Sequence, residues 1–215
     1  MGELSKFFGL AFSALLPLIN PVGDALVLLS FVGDAPSTVY RTLARKIAIS
    51  TTIFLIAIEV SGALILKFFG ISLPVVQVSG GLALAAMGWK LLNEEEVKDK
   101  EKPSNLDELG LRSLEQKVFY PFTFPITAGP GCIVVMVTLS AHASGKGLLA
   151  AVMAHVGITI AVVVLSVAVY LCYRHAPTIT ARISPQSIHG ILRLIAFVLL
   201  CIGVQITANG IKALR

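Results

Sequence analysis

Apolar runs long enough to cross a bilayer recur along the whole chain, and they limit its fold more than any other feature. Stretches near residues 5–32, 47–66, 75–92, 118–141, 148–173 and 187–212 each hold about 18 or more mostly apolar residues, the length a helix needs to span hydrocarbon. Of the 215 residues, 56% are hydrophobic and 13% charged, about half the charge density of an ordinary soluble domain. Strand-like alternation is absent, which argues against a barrel. The predicted fold class is an all-α membrane protein with six transmembrane helices.

The first and fourth runs are interrupted. Asn20-Pro21-Val22-Gly23 breaks one, and Thr127-Ala128-Gly129-Pro130-Gly131 breaks the other. Proline removes a backbone donor and clashes with the preceding turn, and glycine releases the chain to conformations other residues avoid. In hydrocarbon such a break is tolerated only where the freed groups are buried in protein or line a polar cavity.

Between the halves, residues 93–117 change character completely, with Glu94-Glu95-Glu96 and Lys98-Asp99-Lys100-Glu101-Lys102 forming a mixed-charge linker. It reads as a solvated tether. The predicted organisation is a first three-helix repeat over 1–92, the linker over 93–117, and a second repeat over 118–215. Three spans per half put the second repeat in the membrane upside down. The two breaks then enter from opposite faces and meet near the midplane.

The formal charge of +5 does not point to nucleic acid, because Lys and Arg are spread over short loops rather than gathered on a stripe with aromatics. They read as topology signals. Eleven flank the loops after spans 1, 3 and 5, against five on the other side, which places the larger set in the cytoplasm and both termini outside the cell membrane. Cys132, Cys172 and Cys201 fall in apolar runs without a CxxC pair and are read as packing residues. No motif points to an enzyme, a cofactor or a metal.

Several residues carry candidate chemistry. A helix resumed after a break presents unpaired N–H groups and the positive end of its dipole, which suits a carboxylate. The substrate-binding candidates are therefore Asn20, Pro21, Val22, Gly23, Thr127, Ala128, Gly129, Pro130 and Gly131; packing kinks are the plainer reading. Asp24 suits an N-cap for the resumed helix better than a proton or amine acceptor. Glu59 is a carboxylate inside a spanning run, about 20 Å deep at ~1.5 Å per residue, and should face the protein interior with a partner. His155, Gln77 and Gln205 count to the same outer half, a placement that suits one outward vestibule. For Glu59 a structural hydrogen-bond role is the first reading, a proton relay with His155 the second and substrate contact the third. Asn209 completes the secondary polar lining. Gly62, Gly80, Gly81, Gly157, Gly190 and Gly203 are expected at close helix contacts, and Arg193 is expected to snorkel.

Asn20-Pro21-Val22-Gly23, Phe69-Gly70-Ile71-Ser72-Leu73-Pro74, Gly80-Gly81, Thr127-Ala128-Gly129-Pro130-Gly131, and Gly203-Val204-Gln205 with Asn209-Gly210, in this order, resemble the MarC family over nearly the whole chain. The resemblance implies a bacterial or archaeal six-span membrane protein. Its SnatA-type members are associated with transport of small neutral amino acids such as glycine and alanine, coupled to protons. The reading is thus a secondary transporter working by alternating access, with a small neutral amino acid, protons in symport and the lipid bilayer as partners. A passive solute channel, a drug or metabolite exporter and a non-transporting membrane protein are the alternatives. No residue pattern sets an oligomeric state.

Overall fold

The structure, a computed structural model, describes residues 2–33, 35–93, 114–144, 147–178 and 185–214. Every element among them is a helix: α1 (Gly2–Ile19), α2 (Pro21–Val32), α3 (Ser37–Phe68), α4 (Leu73–Asn93), α5 (Val118–Thr127), α6 (Pro130–Ser144), α7 (Leu148–Arg174) and α8 (Pro185–Leu214). Three stretches are long and apolar enough to cross a membrane: Gly2–Leu29, Leu148–Arg174 and Ala196–Leu214. A fourth is formed if the bent pair α5–α6 counts as one span.

The expected boundaries hold to within a few residues except at α3, which starts ten residues before the apolar run at Ile47. The cause is amphipathic spacing. Val39, Tyr40, Leu43, Ala44 and Ile47 repeat every three or four residues and are buried, while Arg41, Arg45 and Lys46 stay exposed on the other face. Most of the charged linker, residues 94–113, lies outside the described residues. Its last turn is not a free tether: Leu114 is buried in the core and Glu115 pairs with Lys46 at 2.8 Å.

The two breaks differ in shape. α1 and α2 run on as one apolar stretch of 28 residues, whereas α5 and α6 meet at 71°. Composition accounts for the bend. α5 is a tandem of two four-residue units, Tyr120-Pro121-Phe122-Thr123 and Phe124-Pro125-Ile126-Thr127, with both aromatic–proline bonds cis. The residue before a proline is pushed towards extended backbone, and Tyr120 (φ −120°, ψ 122°) and Phe124 (φ −126°, ψ 128°) adopt it. The wide turns that result are closed by threonine. Thr123 Oγ1 donates to the Val118 carbonyl and Thr127 Oγ1 to the Phe122 carbonyl, both at 2.8 Å.

α4 packs most extensively on α8, and α7 packs on α1, α2 and α3. The α4–α8 seam is backbone against backbone. A Cβ at Gly81 would lie 2.7 Å from the Gly203 carbonyl, and one at Gly203 would lie 2.7 Å from the Gly81 carbonyl. Seven residues on, Gly88 faces Ala196 and Leu200, and Gly210 faces Pro74 and Val78. Numbers that rise on one helix fall on the other, so the pair is antiparallel and reciprocal about Gly81 and Gly203. Elsewhere the numbers rise together. Gly157 meets Leu4 and Phe8 while Tyr173 meets Asp24, and Lys46 meets Glu115 while Gly62 meets Val137. The first span thus runs parallel to α7, and α3 parallel to α5–α6. Gly190 is an exception to the expected close contacts, since nothing lies within 4 Å of a Cβ placed there.

Candidate functional site

The first break is a cap built by three residues. Asn20 takes a left-handed conformation (φ 41°, ψ 63°), which asparagine tolerates better than most residues. Its Oδ1 accepts the Gly23 N–H at 3.1 Å, and its carbonyl accepts the Asp24 N–H at 3.0 Å. Pro21 occupies the first helical position, where a missing N–H costs nothing. Gly23 is required because a Cβ there would fall on the Asn20 carboxamide, 2.7 Å from its Cγ. The capping residue is therefore Asn20 and not, as the sequence suggests, Asp24, which is released for another partner.

The second break repeats this logic with different residues. Ala128 closes the last wide turn of α5 by donating to the Thr123 carbonyl at 2.8 Å, and Cys132 and Ile133 donate to the Gly129 carbonyl at 3.0 and 3.4 Å. The N–H groups beside the two prolines, those of Val22 and Gly131, take no part in these caps and turns. Fewer donors are free at each break than an uncapped helix start would present. Pro21, Gly23, Thr127, Ala128, Gly129 and Gly131 are buried, Asn20 and Pro130 are half-buried, and Val22 is exposed.

One residue joins the breaks. Tyr173, buried near the end of α7, lies 2.6 Å from Thr127 Oγ1 in α5 and sits beside the Asp24 carboxyl in α2. The Oδ2 of that carboxyl is buried without a hydrogen-bond partner. Around this contact, a Cβ on Gly131 would touch Leu84 of α4 and Leu18 of α1, and Cys132 is buried nearby. Sequence reasoning missed Tyr173. A single tyrosine at the end of an apolar run has no periodic signature, and only the packing of α7 against both breaks identifies it.

A second polar cluster sits between α3, α6 and α7. Glu59 is 2% exposed; its Oε1 lies 3.0 Å from His155 Nδ1, and its Oε2 accepts from Thr159 at 3.3 Å. His155 is the exposed end of the pair, its side chain 35% accessible. Ser140 donates to the Glu59 carbonyl at 2.6 Å, which ties α6 to α3. Ser144 gives its proton to the Ser140 carbonyl at 2.9 Å, so at the 3.3 Å contact with His155 Nε2 the imidazole is the donor. One further proton then lies between Nδ1 and Oε1, whichever partner holds it. The chain Ser144–His155–Glu59 can pass a proton between surface and interior.

Among the described residues, neither Gln77 nor Gln205 shows a hydrogen bond to this cluster. Gln205 is exposed and bonds Asn209 on its own helix at 3.0 Å. Two residues from both Gly203 and Thr207, which face α4, it points about 200° away from that seam at ~3.6 residues per turn. Gln77 is half-buried on α4, which packs on α8 and α6. Of the four residues expected around one vestibule, hydrogen bonding joins Glu59 and His155, and Gln205 faces elsewhere. Two surface hollows, of about 560 and about 630 Å³, lie away from the breaks, one between Lys46, Phe54 and Phe119 and one between Gly2 and Leu148.

The family model of MarC family integral membrane proteins matches residues 5–214. Relatives include the proteins called UPF0056 inner membrane protein MarC from Salmonella arizonae and Salmonella typhimurium, each 28% identical over 98% of this chain and 96% of the relative. The protein of that name from Escherichia coli O1:K1 is 27% identical over the same shares. No solved structure matches the chain. With a family match covering nearly its full length, and apolar helices to be buried in a membrane, the chain belongs to the MarC family of integral membrane proteins.

Proposed function

We propose that the chain is a six-span secondary transporter of small neutral amino acids, driven by protons and working by alternating access. The observation that carries this reading is the approach of two helix breaks, from opposite halves of the chain, to one buried hydroxyl: Tyr173 hydrogen bonds Thr127 of one break and lies beside Asp24 of the other. The reciprocal α4–α8 seam supports two repeats of opposite orientation, since a two-fold axis in the membrane plane makes corresponding helices antiparallel. The Val22 and Gly131 N–H groups, at the positive ends of α2 and α6, are the donors for a substrate carboxylate. A Cβ on Gly131 would already meet Leu84 and Leu18, and so little room supports a substrate with a small side chain. Asp24 and the Glu59–His155 pair are the proton-handling groups. The Lys and Arg distribution supports an orientation with both termini outside the cell membrane.

Burial of six of the nine break residues favours a closed carrier over the channel reading. Uptake of labelled glycine and alanine into proteoliposomes, with and without an imposed pH gradient, tests the proposal, and counterflow tests the carrier. Labelled substrate is expected to exchange against unlabelled substrate, and Gly131→Val, which drives a side chain into Leu84, is expected to abolish uptake in a folded protein. Gradient-independent flux without exchange would mean a channel. Absence of flux for a broad solute panel would remove the transport reading.

A further inference from the structure

Of the three spans, Ala196–Leu214 in α8 is the least covered by the rest of the chain, with 17% of it buried against 33% in each of the others. Its packing is on α4, with a minor contact on α1. Gln205 stands at the midpoint of this span, roughly 13–14 Å from either end at 1.5 Å per residue. It is exposed, on the side of α8 that points away from the seam. A carboxamide has two N–H donors and two acceptor lone pairs. Among the described residues Gln205 makes one hydrogen bond, through its Nε2 to Asn209 Oδ1 at 3.0 Å. One donor and both lone pairs are left over at a depth where hydrocarbon offers them nothing.

The residues around Gln205 form a stripe. Leu194, Val198, Cys201, Gln205, Ala208 and Lys212 follow one another at alternating steps of four and three, the seven-residue repeat along which two helices meet. Ala208 is half-buried and the other five are exposed. Lipid covers leucine and valine without cost, so the apolar part of the stripe names no occupant; the carboxamide does. Asparagine and glutamine bond across helices inside membranes, and small residues such as Cys201 and Ala208 on either side let the two backbones approach.

We infer that this face of α8 is the interface with a second copy of the chain. Copies inserted with the same orientation meet at equal heights about a two-fold axis along the membrane normal, so the two α8 helices run parallel. Gln205 then faces the partner subunit's Gln205, and a group that both donates and accepts is complementary to itself. Lys212, two turns further on, reaches the headgroups along its own stem and keeps its charge out of the interface. The interface uses no residue of the breaks or of the Glu59–His155 pair, and it stands or falls independently of the function proposed above.

The full chain in lipid bilayers tests it. With Cys132→Ser and Cys172→Ser, Cys201 is the single thiol, and mild oxidation is expected to join two copies through it. Val198→Cys, with Cys201→Ser added, is expected to do the same. Val204→Cys in that background is exposed but turned about 100° from Gln205, and is expected to give a yield at least about fivefold lower, set by chance collision. Energy transfer between copies of the otherwise native protein, carrying donor or acceptor dyes at the C-terminus and diluted with lipid, measures association without any crosslink. Gln205→Leu places an apolar side chain towards lipid, where the monomer tolerates it, and is expected to weaken association about tenfold. Equal crosslinking at positions 201 and 204, a monomer at every dilution, or unchanged association in Gln205→Leu overturns the interface. A product in native membranes of any mass other than twice the chain overturns it as well, and marks a different membrane protein as the occupant.

Discussion

Replacing Gly81 by alanine adds one methyl group where two helix backbones meet closely, and the cost follows from the contacts it would make. The added carbon would lie 2.6 Å from the Thr207 nitrogen and 2.7 Å from the Gly203 carbonyl, both backbone atoms that no rotamer change can move. Ordinary contact needs 3.4 Å or more, so α4 and α8 must separate by close to an ångström. A radial gap of about 0.5–1 Å forfeits a quarter to a half of each dispersion contact along the seam, and overpacking of this kind costs about 1–3 kcal/mol. Alanine's better helix propensity returns only about 1 kcal/mol. Gly203→Ala meets the same seam from the other side, so the first substitution already makes room for the second. The double variant should therefore cost clearly less than the sum of the two singles. Gly190→Ala, on the same helix with open space around it, supplies the control and should raise stability by about 0.5–1 kcal/mol. Equilibrium unfolding in mixed detergent micelles measures all four. If Gly81→Ala stabilises like Gly190→Ala, or if the double variant is simply additive, the close reciprocal seam is wrong.

Other substitutions probe the remaining contacts. Gly23→Ala expels the Asn20 carboxamide and should lower stability by about 0.5–2 kcal/mol, the value of an N-cap, whereas Asn20→Ala combined with Gly23→Ala should cost little more than either alone in the same unfolding assay. Glu59→Gln should leave the fold intact through the Ser140 and Thr159 bonds but flatten the pH profile of uptake, and His155→Gln should do the same; an unchanged profile in both would take this pair out of the proton route. Removing the Lys46–Glu115 pair with Glu115→Gln should change stability by at most about 1 kcal/mol, because both side chains are substantially exposed; a larger loss would show that the last turn of the linker is held by that pair rather than by Leu114.

The spans are legible in the sequence because apolar length is a one-dimensional quantity, and both breaks are visible because proline and glycine act through the backbone. Depth along a helix can be counted in the same way, and the count that pairs Glu59 with His155 agrees with their 3.0 Å contact. Counting gives height but not azimuth, and for that reason Gln205 counts to the same region although it points away from the seam and bonds Asn209 instead. The cap falls to Asn20 rather than Asp24 on a finer point. Asparagine tolerates the left-handed turn at position 20 and reaches the Gly23 N–H from there, so the aspartate four residues later is not needed for it. The Tyr-Pro-Phe-Thr and Phe-Pro-Ile-Thr tandem is the readable sign of the sharper bend in the second half. Each unit couples a forced extended residue to a hydroxyl that closes the turn.

The reciprocity of Gly81 and Gly203 gives the unequal breaks a meaning in time as well as in space. If the halves are copies related by a two-fold axis through that seam, exchanging their shapes produces another arrangement of the same chain with the same contacts, open to the opposite side of the bilayer. In that counterpart the stretch across Asn20 would be the folded one and the stretch across Gly129 the straight one. On the proposed mechanism, the 71° bend at the second break would set the scale of the molecule's stroke, and the glycine seam, where backbone meets backbone, would be the bearing on which it turns.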